Sequence, residues 1–397
     1  MKNISENNFN MRLILILTSL SVGVMSFFLP IYSKSLDMNA LEIAGLFSII
    51  SFILIIMRPF IGKLIDKLGR KPILIMGILV YSISYLIFSI ATTTLLLYIA
   101  RTIQGIASAL MGISIYSIVA DTHNFNNISK GFGKVNSAKS TGNIYGCILS
   151  FLILSKVSFL KGWKILFIIF ALASLFALFK VITTFKESRS VTINKKFNIK
   201  NYSSNTIKLL FIVFISCLSS SMVSPILMVY LQDKVTTDIS GLALAFFPAL
   251  IVGSLLSVKI GVISDKLGKN KSMLIGMFIG GINIIILPGL KSLLMFSIIW
   301  SILSIGGILY NLAESGLYTQ LNMANDNGEI FGIYTLVSDI GVMIGPLIGG
   351  FLYETISKTS PFYLNGISMI IVAIFIPILL KDTINLNNEL SKDISEI

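Results

Sequence analysis

The sequence predicts an all-α membrane protein of twelve transmembrane helices, arranged as two pseudo-symmetric six-helix bundles. Three observations predict it. Of the 397 residues, 55% are hydrophobic and only 12% are charged, with a mean hydropathy of +0.88. A water-soluble chain is nearer a quarter charged. Stretches 13–33, 209–232, 292–313 and 359–380 carry no charged residue at all and are long enough to cross a bilayer as helices. Finally, the chain repeats itself. An offset of 199 residues carries Gly62 onto Gly261, Asp66 onto Asp265, Gly69 onto Gly268, Gly77 onto Gly276, Gly142 onto Gly341 and Gly146 onto Gly345. An even number of spans per copy gives both copies the same orientation, and a parallel repeat of this kind places a substrate site near the midplane between the halves.

The spans are expected at 13–33, 43–62, 72–92, 95–121, 133–155, 163–185, 208–231, 239–260, 272–290, 292–320, 331–353 and 361–380. Ile- and Leu-rich runs of this length satisfy their backbone in lipid as helices, whereas barrel strands would show short alternating segments. The first run is too long for a signal peptide and has no small-residue cleavage site after it. Spans 2 and 3 are joined by "GKLIDKLGRK", with one acid and four bases in ten residues, and spans 8 and 9 by "GVISDKLGKNK". Gly69 and Gly268 suit a turn that needs a positive φ. The polar stretch after span 6 reads as a cytoplasmic linker. This gives bundles at 1–186 and 208–397 with 187–207 between them.

The net charge of +13 does not point to nucleic acid, because the bases gather in the segments between apolar runs. Most fall on one side when the spans are alternated, which predicts a multi-pass protein of the cytoplasmic membrane with both termini inside. Cys147 and Cys217 lie within apolar runs, and His123 is the sole histidine. No disulfide framework, metal site or His proton relay is expected.

At the 2–3 turn the sequence resembles the major facilitator superfamily, whose signature G-x-L-x-D-x-x-G-R-[KR] is met by Gly62, Leu64, Asp66, Gly69, Arg70 and Lys71. The second copy keeps Gly261, Asp265 and Gly268 but has Lys269 for the arginine. A further family motif, R-x-x-Q-G, appears in span 4 as Arg101, Gln104 and Gly105. The resemblance is closest to the twelve-helix drug/proton antiporters. Their G-x-x-x-G-P-x-x-G-G motif normally lies in span 5. Here span 5 keeps Gly142 and Gly146 alone, and the whole motif stands in span 11 as Gly341, Gly345, Pro346, Gly349 and Gly350.

The resemblance implies roles for particular residues. Asp66 would clamp the halves on the cytoplasmic side by facing the start of span 11, where helix N-termini favour an acid by about 0.3–1 kcal/mol; a solvated turn is the alternative. Gly62, Gly69, Arg70 and Asp265 belong to the same gate. Arg58 and Asp339, charged residues inside spans, either pair with each other or, for Arg58, snorkel to the headgroups. Arg101 would stand near the substrate cavity and be linked to proton coupling, or would simply bond Gln104 or a backbone carbonyl. Glu314, the one carboxylate well inside span 10, would handle protons or a cationic substrate, or pair with a cytoplasmic lysine. Tyr310 and Asn311 would join it in a mostly neutral cavity wall. The Gly142/Gly146 and Gly341/Gly345/Pro346 sets fit a hinge or a tight seam.

The function expected is secondary active transport of a small amphipathic molecule, by proton-coupled efflux or else by proton-symport uptake of a sugar or other metabolite. No phosphate-binding loop of the G-x-x-x-x-G-K-[ST] kind is present, so ATP is not expected to drive it. An enzyme is not expected, with one histidine and no paired carboxylates within the spans. Neither cofactor nor metal is called for. The partners expected are the substrate, protons and lipid, with the chain acting as a monomer.

Overall fold

The computed structural model describes residues 11–122, 128–185, 187, 203–236, 238–321 and 327–380. Among the described residues all regular structure is helical. We number the helices α1 Met11–Lys34 and α2 Ala40–Leu68, then α3 Arg70–Ile90, α4 Thr94–Thr122, α5 Ile128–Leu154 and α6 Phe159–Thr184. These are followed by α7 Ser204–Lys234, α8 Ile239–Leu267, α9 Lys269–Ile286, α10 Leu293–Leu321, α11 Asn327–Thr355 and α12 Ser360–Leu379. Ten of them are long and apolar enough to cross a membrane; α5, with three lysines in its first half, and α8 are outside that set. The chain divides into two compact units, Met1–Asn194 and Lys195–Ile397. His123 and most of the expected linker lie outside the described residues.

Local chemistry explains where several helices begin and end. Asn39 and Glu42 form a capping box at the start of α2. The Asn39 side chain accepts from the Glu42 N–H at 2.8 Å, and the Asn39 N–H donates to the Glu42 carboxylate at 2.9 Å. At its other end α2 runs to Leu68, two turns beyond the expected limit at residue 62, so Gly62 and Asp66 lie on the helix rather than in a loop. A single residue, Gly69, then turns the chain into α3 at φ +96°, and Gly268 does the same between α8 and α9 at φ +84°. L-residues avoid that region, which is why glycine occurs at both. α1 and α7 are each interrupted. α1 breaks at 19–20, and α7 breaks at 224–226, where Pro225 offers no N–H to continue the ladder.

Within the N-terminal unit, Trp163 of α6 ties together the ends of α1, α3 and α6. Its ring stacks on Tyr32 of α1 at 4.1 Å and its N–H donates to the Phe88 carbonyl of α3 at 2.9 Å. Tyr32 completes the tie by donating to the Ala91 carbonyl at 2.6 Å. Within the C-terminal unit the core gathers Leu209, Val213, Met273, Met277, Tyr310, Leu317 and Val372 from α7, α9, α10 and α12.

The glycine sets form seams within each unit. A Cβ on Gly142 or Gly146 of α5 would overlap the carbonyls of Ile16 and Leu20 in α1. In the second unit a Cβ on Gly341 of α11 would lie 2.8 Å from the Phe214 carbonyl of α7, and one on Gly345 would overlap that of Leu218. Backbones this close require glycine. α11 continues through Pro346.

Overpacking a seam of this kind costs about 1–3 kcal/mol. Gly146→Ala is therefore expected to lower the melting temperature of the purified protein in detergent by several degrees. Gly112→Ala in α4, where a Cβ would meet nothing within 4 Å, is expected to leave it unchanged. Equal melting temperatures for the two variants would contradict the seam.

Candidate functional site

Three groups of polar side chains stand out against the apolar helices. The first surrounds the turn at Gly69. The Arg70 side chain is buried and its Nε donates to Oδ2 of Asp121, at the end of α4, at 2.8 Å. Three residues beyond the end of α6, the chain brings Glu187 onto the N-terminus of α3. Its carboxylate accepts from the backbone N–H of Arg70 at 2.8 Å and of Lys71 at 3.0 Å. Unsatisfied N–H groups at a helix start favour an anion there. The Lys71 ammonium reaches back to the Ile182 carbonyl of α6 at 3.0 Å. A Cβ at Gly69 would lie 2.7 Å from the Glu187 carboxylate, so the glycine also leaves room for it.

The expected gate residues are thus not equivalent. Arg70 is tied within its own unit to Asp121. Asp66 is exposed. Asp265 is exposed too and bonds Lys269, four residues on, at 2.5 Å. Arg58 and Asp339 are half-buried and belong to different units.

The second group lies in α4. Arg101 is 4% exposed. Its Nε donates to the Leu46 carbonyl of α2 at 3.0 Å, one terminal nitrogen donates to Oε1 of Gln104 at 2.8 Å, and the guanidinium lies 5.0 Å from the Phe47 ring centre. Nearby, the Tyr85 hydroxyl of α3 meets Ser21 of α1 at 2.6 Å. The structural bonds left open by the sequence are therefore present, and through them Arg101 ties α4 to α2.

The third group is inside the C-terminal unit. Glu314 of α10 is 3% exposed. Its Oε1 has no hydrogen-bond partner among the described residues. Cys217 of α7 is close enough to feel the charges of both Glu314 and Asp339. Tyr310, one turn before Glu314, is buried and its hydroxyl meets Ser216 of α7 at 2.8 Å. Asn311 does not join them: it is on the exposed face of α10 with Ser315.

Sequence reasoning missed Asp121, Glu187 and Tyr85. Asp121 and Glu187 carried a weak signal, as acids beside a basic turn at expected cytoplasmic ends. The tyrosine carried none, since a tyrosine in an apolar run reads as packing.

Long apolar helices in two similar units, with a buried arginine in one and a buried glutamate in the other, define a multi-pass membrane transporter. The family model for the Major Facilitator Superfamily matches residues 12–204 and 209–392, and the chain belongs to that superfamily. It is 25% identical over 370 residues to multidrug resistance protein 2 of Bacillus subtilis (strain 168), covering 89% of this chain and 90% of that one. It is 23% identical over 377 residues to the class E tetracycline resistance protein of Escherichia coli, covering 91% and 92%. Among solved structures it shares the fold of the nucleoside transporter NupG, with a TM-score of 0.75, 14% identity and coverage of 94% and 99%.

Removing one member of a buried ion pair costs about 3–5 kcal/mol, because the other charge is left uncompensated. Asp121→Ala is expected to lower the detergent melting temperature sharply. The double change Arg70→Met with Asp121→Leu is expected to lower it much less, because no charge is stranded. A double variant as unstable as the single would remove the ion pair as the cause.

Proposed function

We propose that the chain is a proton-coupled secondary transporter that exports a small amphipathic molecule across the cytoplasmic membrane by alternating access. Glu314 carries this reading. A carboxylate nearly excluded from solvent, with one oxygen unpartnered among the described residues, is poorly compensated as an anion and well suited as an acid. A group whose two states are so unequally served by their surroundings can load and release a proton as those surroundings change. Asp339 is the second carboxylate of the same unit and the other candidate carrier. Small hydroxyl and aromatic side chains around Glu314 favour neutral or cationic amphipathic compounds over polyanions.

The relatives, whose names attribute resistance to drugs and to tetracycline, support export as the direction. Uptake by symport remains the second reading, because span 5 lacks the full motif of the exporters. The lysine and arginine distribution supports termini on the cytoplasmic side, and the family signature at Gly62–Lys71 supports Asp66 acting at a cytoplasmic clamp.

Everted membrane vesicles energised with a proton gradient should accumulate the exported compound, identified by profiling an efflux-deficient host. Loss of compound from these vesicles on energisation would favour symport. In proteoliposomes with an imposed pH gradient, Glu314→Gln should abolish uphill transport yet keep counterflow exchange, since the amide resembles the protonated acid. Uphill pumping at the wild-type rate by Glu314→Gln and by Asp339→Asn would exclude both as carriers. Asp66→Asn should insert normally and transport poorly; wild-type transport would remove the clamp.

A further inference from the structure

We propose that Glu187 is a positioning residue for the cytoplasmic clamp: it holds the Gly69 turn to the end of α6 and so fixes the last turn of α2, which carries Asp66. This rests on the reading of Asp66 as a clamp. Both carboxylate oxygens are used. Oε1 accepts from the Arg70 N–H at 2.8 Å and Oε2 from the Lys71 N–H at 3.0 Å. These two N–H groups open α3 and have no acceptor within their own helix. An ionised acceptor makes hydrogen bonds about twice as strong as a neutral one.

The turn does not need this carboxylate in order to form. Gly69 has φ +96°, and a Cβ there would lie 2.7 Å from Glu187. Gly268 makes the matching turn of the other unit at φ +84°, and a Cβ there would meet nothing within 4 Å among the described residues. The lodged acid is therefore an addition in the N-terminal unit. Further ties converge on the same place. The Lys71 ammonium donates to the Ile182 carbonyl in the last turn of α6 at 3.0 Å, and Arg70 Nε donates to Asp121 at the end of α4 at 2.8 Å. The end of α2 has its last buried residue at Ile65. Ile61 and Ile65 pack into a core with Ile73 of α3 and Leu110 of α4, whereas Asp66, Lys67 and Leu68 are exposed. Helix ends of this kind fray unless something beyond them is fixed. Only Gly69 separates Leu68 from α3, so an anchor on Arg70 and Lys71 also limits where Asp66 can go.

The test follows amide hydrogen exchange in the full-length protein in lipid, resolved by residue over 64–72, with no ligand added. In Glu187→Ala the amides of Arg70 and Lys71 are expected to exchange about twofold to fivefold faster, the worth of an acid at a helix start. Those of Lys67, Leu68 and Gly69 are expected to speed up with them. Glu187→Gln keeps the shape and one acceptor without the charge, and should fall between wild type and Glu187→Ala. In energised everted vesicles given the compound that the wild type accumulates, Glu187→Ala should lower the maximal rate by a similar factor and leave KM unchanged. Unchanged exchange in both variants would remove the contact. Faster exchange confined to Arg70 and Lys71 would make Glu187 a cap for α3 alone and overturn the proposal. Transport at the wild-type rate with the α2 amides freed, or a change in KM alone, would overturn it too. Wild-type transport by Asp66→Asn would instead remove the clamp reading, and this proposal with it.

Discussion

The hydrocarbon core of a membrane offers no water, so every polar group placed there must be satisfied by the chain itself. Helices meet that demand for the backbone, and the side chains show how far it extends. Hydroxyls turn back onto their own helix, as Ser114 does to the Leu110 carbonyl and Ser150 to that of Gly146. Trp163 and Tyr32 each find a carbonyl on α3 or just past its end. Arg101 is bound by a carbonyl, an amide and an aromatic face, and Arg70 by a carboxylate. Some buried hydroxyls, such as Ser33, Ser48 and Ser174, are left over. A stranded hydroxyl costs a few kcal/mol at most, whereas a stranded ion costs far more and neutralises instead. Glu314 is set apart by this difference.

The internal repeat preserves the scaffold and abandons the chemistry. Gly69 and Gly268 share a positive φ, and the pairs Gly142/Gly341 and Gly146/Gly345 make the same kind of seam in each unit. The same offset of 199 sets Trp300 opposite Arg101 and Ile115 opposite Glu314. Packing demands are alike in both units, since both must bring helix backbones together in lipid. The buried charges are not alike. Had they served packing only, the two copies would have had equal need of them.

Much of the architecture was legible in the sequence, because lipid leaves few options. Run length and charge asymmetry gave the spans, and a glycine followed by two bases gave the turn and its φ. What could not be read was which distant group completes each local one. Nothing near Gly69 indicates that Glu187 will cap α3, because 117 residues separate Glu187 from Arg70 and only folding brings them together. The extension of α2 to Leu68 was hidden for a related reason. Polar residues there resemble a loop, yet a helix tolerates them once it emerges from the apolar region. Asn311 was grouped with Glu314 by adjacency, and the helical period sets it on another face.

The two buried charges also differ in kind. A guanidinium stays charged at physiological pH and presents a planar fork of donors, so Arg101 is a constant feature of its unit and is held by matching constant partners. A carboxylate has two states, and its surroundings determine how unequal they are. Glu314 is nearly excluded from solvent, and its Oε1 is without a partner among the described residues. Full satisfaction of the ion would fix it in one state, and a purely apolar lining would fix it in the other. A carboxylate satisfied only in part keeps both states within reach, as the proposed role of a proton carrier requires.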